Sequence, residues 1–408
     1  MDFDRNSQLS AARIRGGFLA PVALALFTLI TRVLCLGSLY YADGPNHIQS
    51  ILEKVYVIQP PGYWLFNRIG GLFPYPVTAI ATMNVLFSVA GVVVFYYTAL
   101  FFAGRRNAFL AALAYSTIYY IWFSGEVHST YASQALFPIA TFYVLLRYER
   151  DRSSWLLWLA AVIFAVGAGL RPSDGVFLIP MLAYYSAIRL PRGKAAIFVG
   201  LILVLCLAWI IPTGLAYRQS TGRVPGLDKT QEGTQAGTQA GMQEEITAYL
   251  RRIAGQRSIL TGVNAGSMAN VVRSVLPLAV AFWPVLAAAF LNLIRNWKDW
   301  RIRMMLCWIV PGSLFFILSY IGDAPYLTFL SAAILLLAVG APRMMAVTAV
   351  WNAVLFLCFI PIPSQRLLPN VLNCYVGKDT RYALQHHWQP MLSQVQKWPS
   401  KSSGVEAP

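Results

Sequence analysis

Eleven apolar stretches follow one another along this chain, at 17–41, 76–103, 108–123, 130–146, 155–170, 176–190, 195–215, 271–294, 304–321, 326–340 and 344–362. A helix crosses a bilayer with about 20 apolar residues, in a range of roughly 17–25. Several stretches are shorter and suit tilted or re-entrant segments. Tight polar punctuation such as Gly104-Arg105-Arg106-Asn107 and Arg171 to Gly175 separates them. The expectation is an all-α polytopic membrane protein of about eleven transmembrane helices.

Composition narrows the class further. Only 12% of the 408 residues are charged and 57% are apolar, against roughly 25% charged in ordinary globular chains. A soluble protein of this size cannot cover its surface with so few charges. The net charge of +16 would point to nucleic acid in a soluble chain. Here topology explains it. With the N-terminus inside, sixteen basic residues fall on inner segments, among them Arg105, Arg106, Arg295 and Arg301. The four short outer loops hold only Lys54, Arg68 and Arg171. This asymmetry is the positive-inside pattern, and no nucleic-acid partner is expected. Arg13 and Arg15 precede the first apolar run, which is too long for a signal peptide and ends in Leu39-Tyr40-Tyr41, so it reads as an uncleaved span. The expected division is an inner N-terminus at 1–16, a membrane module at 17–362 and an outer tail at 363–408. Within the module lie a first outer loop at 42–75 and a long outer loop at 216–270. The repeat-like segment 231–243 reads as a surface linker, and 244–257 as a short amphipathic helix beside it.

The acids lie mostly on the other face. Five fall on inner segments and eleven on outer ones. The positive-inside rule barely involves Asp and Glu, so this bias has another cause. Short loops on one face converge on one rim of a bundle, where acids suit a membrane-enzyme cavity.

The first outer loop is the richest. From Pro45, a favoured first helical residue, the apolar positions Ile48, Ile51, Leu52 and Val55 follow helical spacing, with His47, Ser50 and Lys54 on a polar face. This predicts an amphipathic helix lying at the interface. Asp43, just before it, reads either as a helix cap or as a catalytic carboxylate at the mouth of the bundle. Glu126 and His128 stand two apart in the short second loop, either in a solvated turn or facing one site. Arg171-Pro172-Ser173-Asp174-Gly175 is turn chemistry that also leaves a guanidinium able to grip a phosphate. Gly322-Asp323-Ala324-Pro325 is a turn of the same kind. Arg32 is the one basic residue in the middle of a span, Arg189 and Arg273 standing at the ends of theirs. It either snorkels outward or faces the cavity and an anionic headgroup.

No Walker loop, HExxH, GxSxG or CxxC is present. Nucleotide-driven transport and zinc proteolysis therefore gain no support. No cofactor is indicated beyond a divalent cation held by Asp43 with Glu126, and hard-metal sites generally take more oxygen ligands than that.

Taken together, YYADGPNH at 40–47, the PPGYW turn at 60–64, SGEVHSTY at 124–131, GLRPSDGVFLIP at 169–180 and APYLTFL at 324–330 resemble the GT-C superfamily of polytopic glycosyltransferases. Within it, they are most similar to the branch of protein O-mannosyltransferases and the lipid A aminoarabinose transferase. The similarity runs through about residues 15–190. The resemblance implies an inverting transfer of a sugar from a polyprenyl-phosphate donor to a hydroxyl of a lipid, glycan or protein on the outer face of a cell membrane. It places the family's first-loop acid at Asp43, as general base, and its second-loop acid at Glu126. Arg171, Arg32 and Lys54 would meet the departing phosphate, while His47, His128 and Asp174 would bind substrate. Here Gly44 stands where many members carry a second acid. A transporter or flippase of a lipid-linked glycan, or a scaffold using the outer loops to bind a partner, are the competing readings.

Overall fold

A computed structural model describes residues 18–35, 43–57, 62–125, 127–221, 265–318 and 328–359. These residues form fourteen α-helices and no strand. The first half contains α1 (Leu19–Cys35), α2 (Asp43–Leu52), α3 (Trp64–Gly70), α4 (Pro76–Ala99), α5 (Arg105–Thr117), α6 (Tyr119–Ser124) and α7 (Ala132–Asp151). The second contains α8 (Trp155–Leu170), α9 (Pro172–Arg189), α10 (Arg192–Thr221), α11 (Ala265–Asn296), α12 (Trp300–Leu318), α13 (Thr328–Leu337) and α14 (Pro342–Phe359). The segments 231–243, 244–257 and 363–408, the fourth-loop turn at 322–325 and Glu126 lie outside the described residues.

Every apolar stretch carries helix, but the stretch 108–123 is broken. Ile118 takes an extended conformation (φ −51, ψ 120) between α5 and α6. A break inside a bundle leaves backbone groups to be satisfied by neighbours. Asn352 of α14 does this, accepting from the Tyr119 backbone N–H at 3.4 Å. Among the described residues, three helical segments are long and apolar enough to cross a membrane: Pro76–Ala99, Arg192–Ala216 and Leu278–Asn296. Helix length and composition do not fix the count of about eleven crossings, since the other helices are shorter or less apolar. The chain is a multi-pass integral membrane protein. Outward-facing apolar side chains such as Trp155, Trp158, Leu203, Val204 and Phe290 suit a lipid-facing surface.

The helices run up and down, and most of the connections between consecutive helices are short. α4 packs against α1, α5 and α7, α7 packs on α8, and α8 packs on α9 and α10. α14 closes the bundle against α5 and α11. The α4–α7 crossing depends on Gly91. A Cβ there would collide with the backbone carbonyl of Ala135, and the Tyr115 hydroxyl donates to that same carbonyl at 2.7 Å. Small residues at such crossings let backbones approach closely in lipid.

The up-and-down order gives the bundle two ends. One holds the loop between α6 and α7 and the junction of α8 with α9. The other holds the turns α4–α5, α7–α8, α9–α10, α11–α12 and α13–α14, where arginines including Arg105, Arg106, Arg192, Arg295 and Arg301 gather.

The first-loop helix forms at α2, but starts at Asp43 and not at Pro45. Its apolar residues Ile48 and Ile51 are buried as expected. Its expected polar face is divided. His47 and Ser50 are buried, and Lys54 is exposed. The cause is α3, which lays Asn67 against them.

Candidate active site

Four of the charged or titratable residues singled out in the sequence gather at the loop 125–131: His128 belongs to it, Arg171 and Arg32 reach it, and Asp174 joins through Arg171. Arg171 occupies the N-cap position of α9 in an extended conformation. Its guanidinium donates to the Thr130 hydroxyl at 2.6 Å and stacks over the Tyr131 ring at 4.1 Å. Its Nε lies 3.4 Å from the Asp174 carboxylate. Asp174 accepts a hydrogen bond from Gln134 Nε2 at 2.8 Å. It also stands in the first turn of α9, where the helix dipole favours negative charge. Arg171 and Asp174 are 2% and 4% exposed. The turn that Pro172 opens is therefore folded into the bundle, and this guanidinium is already bonded.

His128 lies in the same loop and is buried. Burial pushes its imidazole from 6.5 down to about 4, against a smaller opposing effect from a hydrogen bond to the Val77 backbone. It is neutral at physiological pH. The loop itself is held from α4. Asn84 Nδ2 donates to the carbonyl of Val127 and, at 2.8 Å, to that of Ser129.

Arg32 reaches the start of the loop. It is fully buried, so the snorkelling alternative does not hold. Its Nη2 donates to the Ser116 carbonyl at 2.6 Å, and its guanidinium lies 5.0 Å from the Trp122 ring centroid. A Cβ at Gly125 would stand 3.1 Å from Arg32 Nε and would collide with the Ser88 hydroxyl. Glycine lets the loop come this close. Glu126 follows immediately and lies outside the described residues.

The first loop forms a second cluster. Asn67 donates from Nδ2 to the Tyr56 carbonyl at 3.1 Å, so its Oδ1 faces His47 Nδ1 at 2.6 Å. That nitrogen therefore carries the proton. The edge-on rings of Tyr63 and Phe66 complete the surround. His47 thus ties α2 to α3. Lys54 is exposed in the turn after α2, with φ 57. Asp43 is the first residue of α2. This helix packs through Ile48 and Ile51 against Phe66, Ile80, Met83 and Leu170. Leu170 precedes Arg171, so α2 rests at the same end of the bundle as the second loop.

Among the described residues, no three of His, Cys, Asp and Glu come together as metal ligands. Asn84, Gln134, Thr130, Tyr131 and Asn67 complete the two clusters, and none was singled out in the sequence. A polar residue within an apolar span is costly, and that signal was readable for Asn84 and Gln134.

Residues 59–215 match the family described as dolichyl-phosphate-mannose-protein mannosyltransferase. No curated protein sequence matches the chain. The fold is similar to that of ArnT from Cupriavidus metallidurans, solved bound to undecaprenyl phosphate. The TM-score is 0.59 at 14% identity, over 86% of this chain and 66% of that one. It is also similar to the archaeal oligosaccharyltransferase AglB from Archaeoglobus fulgidus, solved with an inhibitory peptide and a dolichol-phosphate. There the TM-score is 0.51 at 12% identity, over 95% of this chain and 56% of that one. The chain thus spans just under two thirds of ArnT and rather more than half of AglB.

Proposed function

Because the chain shares the fold of the GT-C superfamily of membrane glycosyltransferases, we propose that it transfers a sugar from a polyprenyl-phosphate donor to an acceptor hydroxyl. The reaction takes place at the end of the bundle that carries the second loop. That end faces outward, since the arginine-rich end is then cytoplasmic. The observation that carries this reading is the gathering of Arg32, His128, Arg171 and Asp174 at one loop, beside the seat of the helix that begins at Asp43. Buried charge in a membrane protein marks function by default.

The acceptor oxygen forms a bond to the anomeric carbon, and the bond from that carbon to the phosphate oxygen breaks. A single displacement inverts the centre. The acceptor's proton goes to Asp43, the general base. The leaving polyprenyl phosphate carries the negative charge, and preorganised cations stabilise such charge in a site shielded from water. Arg32 and Lys54 supply them. Arg171 shares its charge with Asp174, so it binds substrate through the shape of the loop it holds. Glu126 and His128 bind the sugar and acceptor. His47 keeps α2 on α3 and so positions Asp43.

The test uses purified full-length protein with polyprenyl-phosphate sugars, and measures released polyprenyl phosphate. Release by the parent protein, reduced about a hundredfold or more in Asp43→Asn, is the expected result. Full activity in Asp43→Asn would remove the base assignment. Donor movement across the bilayer without cleavage would favour the flippase reading.

A further inference from the structure

The break at Ile118 disturbs two backbone groups that a continuous helix would use internally. In an unbroken helix the Tyr119 N–H would donate to the Tyr115 carbonyl, and the Ser116 carbonyl would accept from the Tyr120 N–H. Here side chains from two other helices step in. Asn352 of α14 takes the Tyr119 N–H at 3.4 Å, and Arg32 of α1 donates from Nη2 to the Ser116 carbonyl at 2.6 Å. The two contacts lie on opposite sides of the break in sequence.

The break thereby makes a seat for a buried cation. α5 ends at Thr117, so the Arg32 guanidinium stands at the negative end of that helix dipole. Thr28, one turn before Arg32 on α1, shares a hydrogen bond of 2.9 Å between its hydroxyl and that of Ser116. Past the break, the Trp122 ring of α6 lies 5.0 Å from the guanidinium, within reach of a cation–π attraction. The seat is thus built half from the end of α5 and half from α6. Rejoining the two helices would return the Ser116 carbonyl to the backbone ladder and dismantle it.

α14 keeps the helices parted. Asn352 is fully buried, and its Nδ2 donates to the Ala281 carbonyl of α11 at 2.8 Å and to the Thr348 carbonyl at 3.0 Å. These bonds fix the amide and turn its oxygen toward Tyr119. One turn further on, Phe356 stacks on the Trp122 ring with centroids 4.0 Å apart. We infer that Asn352 is a positioning residue: by holding α5 and α6 apart it builds the seat of Arg32, and so fixes where that charge meets the departing phosphate. The inference rests on the transferase reading, in which Arg32 stabilises the leaving group. Asn352 acts through α6 and Arg32, not on the substrate.

Asn352→Leu tests it, because the side chain keeps about its size and loses its polar group. Release of polyprenyl phosphate by the purified full chain should fall about ten- to a hundredfold in kcat, as for a misplaced group, with the acceptor KM near the parental value. In an Arg32→Gln background Asn352→Leu should cost little further activity, and its effect on the melting temperature should shrink as well. Trp122→Phe keeps an aromatic ring against Phe356 but holds a cation less well. It should lower kcat to a lesser degree at the parental melting temperature, which tests the seat even where Asn352→Leu folds poorly. Parental kcat in Asn352→Leu would overturn the inference, as would the same factor of loss with and without Arg32→Gln. A parent protein that releases no polyprenyl phosphate would overturn the transferase reading instead. The melting temperatures then still decide the seat: coupled losses support it, and additive losses overturn it.

Discussion

Arg171 and Asp174 face each other across the first turn of α9, guanidinium to carboxylate at 3.4 Å, and both are buried. Desolvating two charges offsets much of their attraction, but removing one leaves the other stranded, at a cost of about 3–5 kcal/mol. Asp174→Ala should therefore lower unfolding stability by about that amount. The double variant Arg171→Met with Asp174→Leu should be milder than the single one. Chemical denaturation in detergent measures both, and a double variant worse than Asp174→Ala would contradict the pairing.

Asn84 spans the gap between α4 and the second loop with two donated hydrogen bonds. Asn84→Ala orphans two buried carbonyls, which costs about 1–3 kcal/mol for each group left unsatisfied. Activity should fall further than stability alone explains, because the loop loses its register. Comparing turnover well below the melting temperature with the melting temperature itself separates the two effects.

The His128 imidazole sits at about 4 in the fold, against 6.5 for the ordinary group. The unfolded chain thus binds this proton more readily than the folded one. Its contribution to stability is full above about pH 6.5 and is lost as pH falls toward 4, by about 3 kcal/mol in all. Melting temperatures recorded from pH 7.5 down should drop more steeply in the parent protein than in His128→Gln. Parallel curves would show that this ring does not carry the dependence.

His47 and Asn67 should behave as one unit. His47→Ala and Asn67→Ala each break the 2.6 Å hydrogen bond that joins α2 to α3. Each should destabilise the protein by about 1–3 kcal/mol, and the double variant should cost little more than either single one. Additive effects in a double-mutant cycle would assign the two residues separate roles.

Much of the architecture was legible from hydrophobicity, because a membrane span leaves a long apolar run. The break at Ile118 was not. No glycine or proline marks it, and it is sustained by Asn352, more than two hundred residues further on. Arg171, Asp174, His128 and Arg32 stood out because charge is scarce in this chain. Their arrangement was hidden, since it depends on neutral partners from other helices. Nothing local tells that Arg32 meets the Ser116 carbonyl, or that Gln134 serves Asp174. The polar face expected for α2 failed for the same reason. Helical spacing placed His47 and Ser50 on one side, but α3 decided whether that side met water or protein.

Asn84 belongs to α4, a helix packed chiefly on α1, α5 and α7, and its bonds to the Val127 and Ser129 carbonyls form when the bundle folds. The loop's conformational entropy is therefore surrendered at folding. A substrate arriving there need not order this stretch of backbone, so more of its intrinsic affinity remains as net binding free energy.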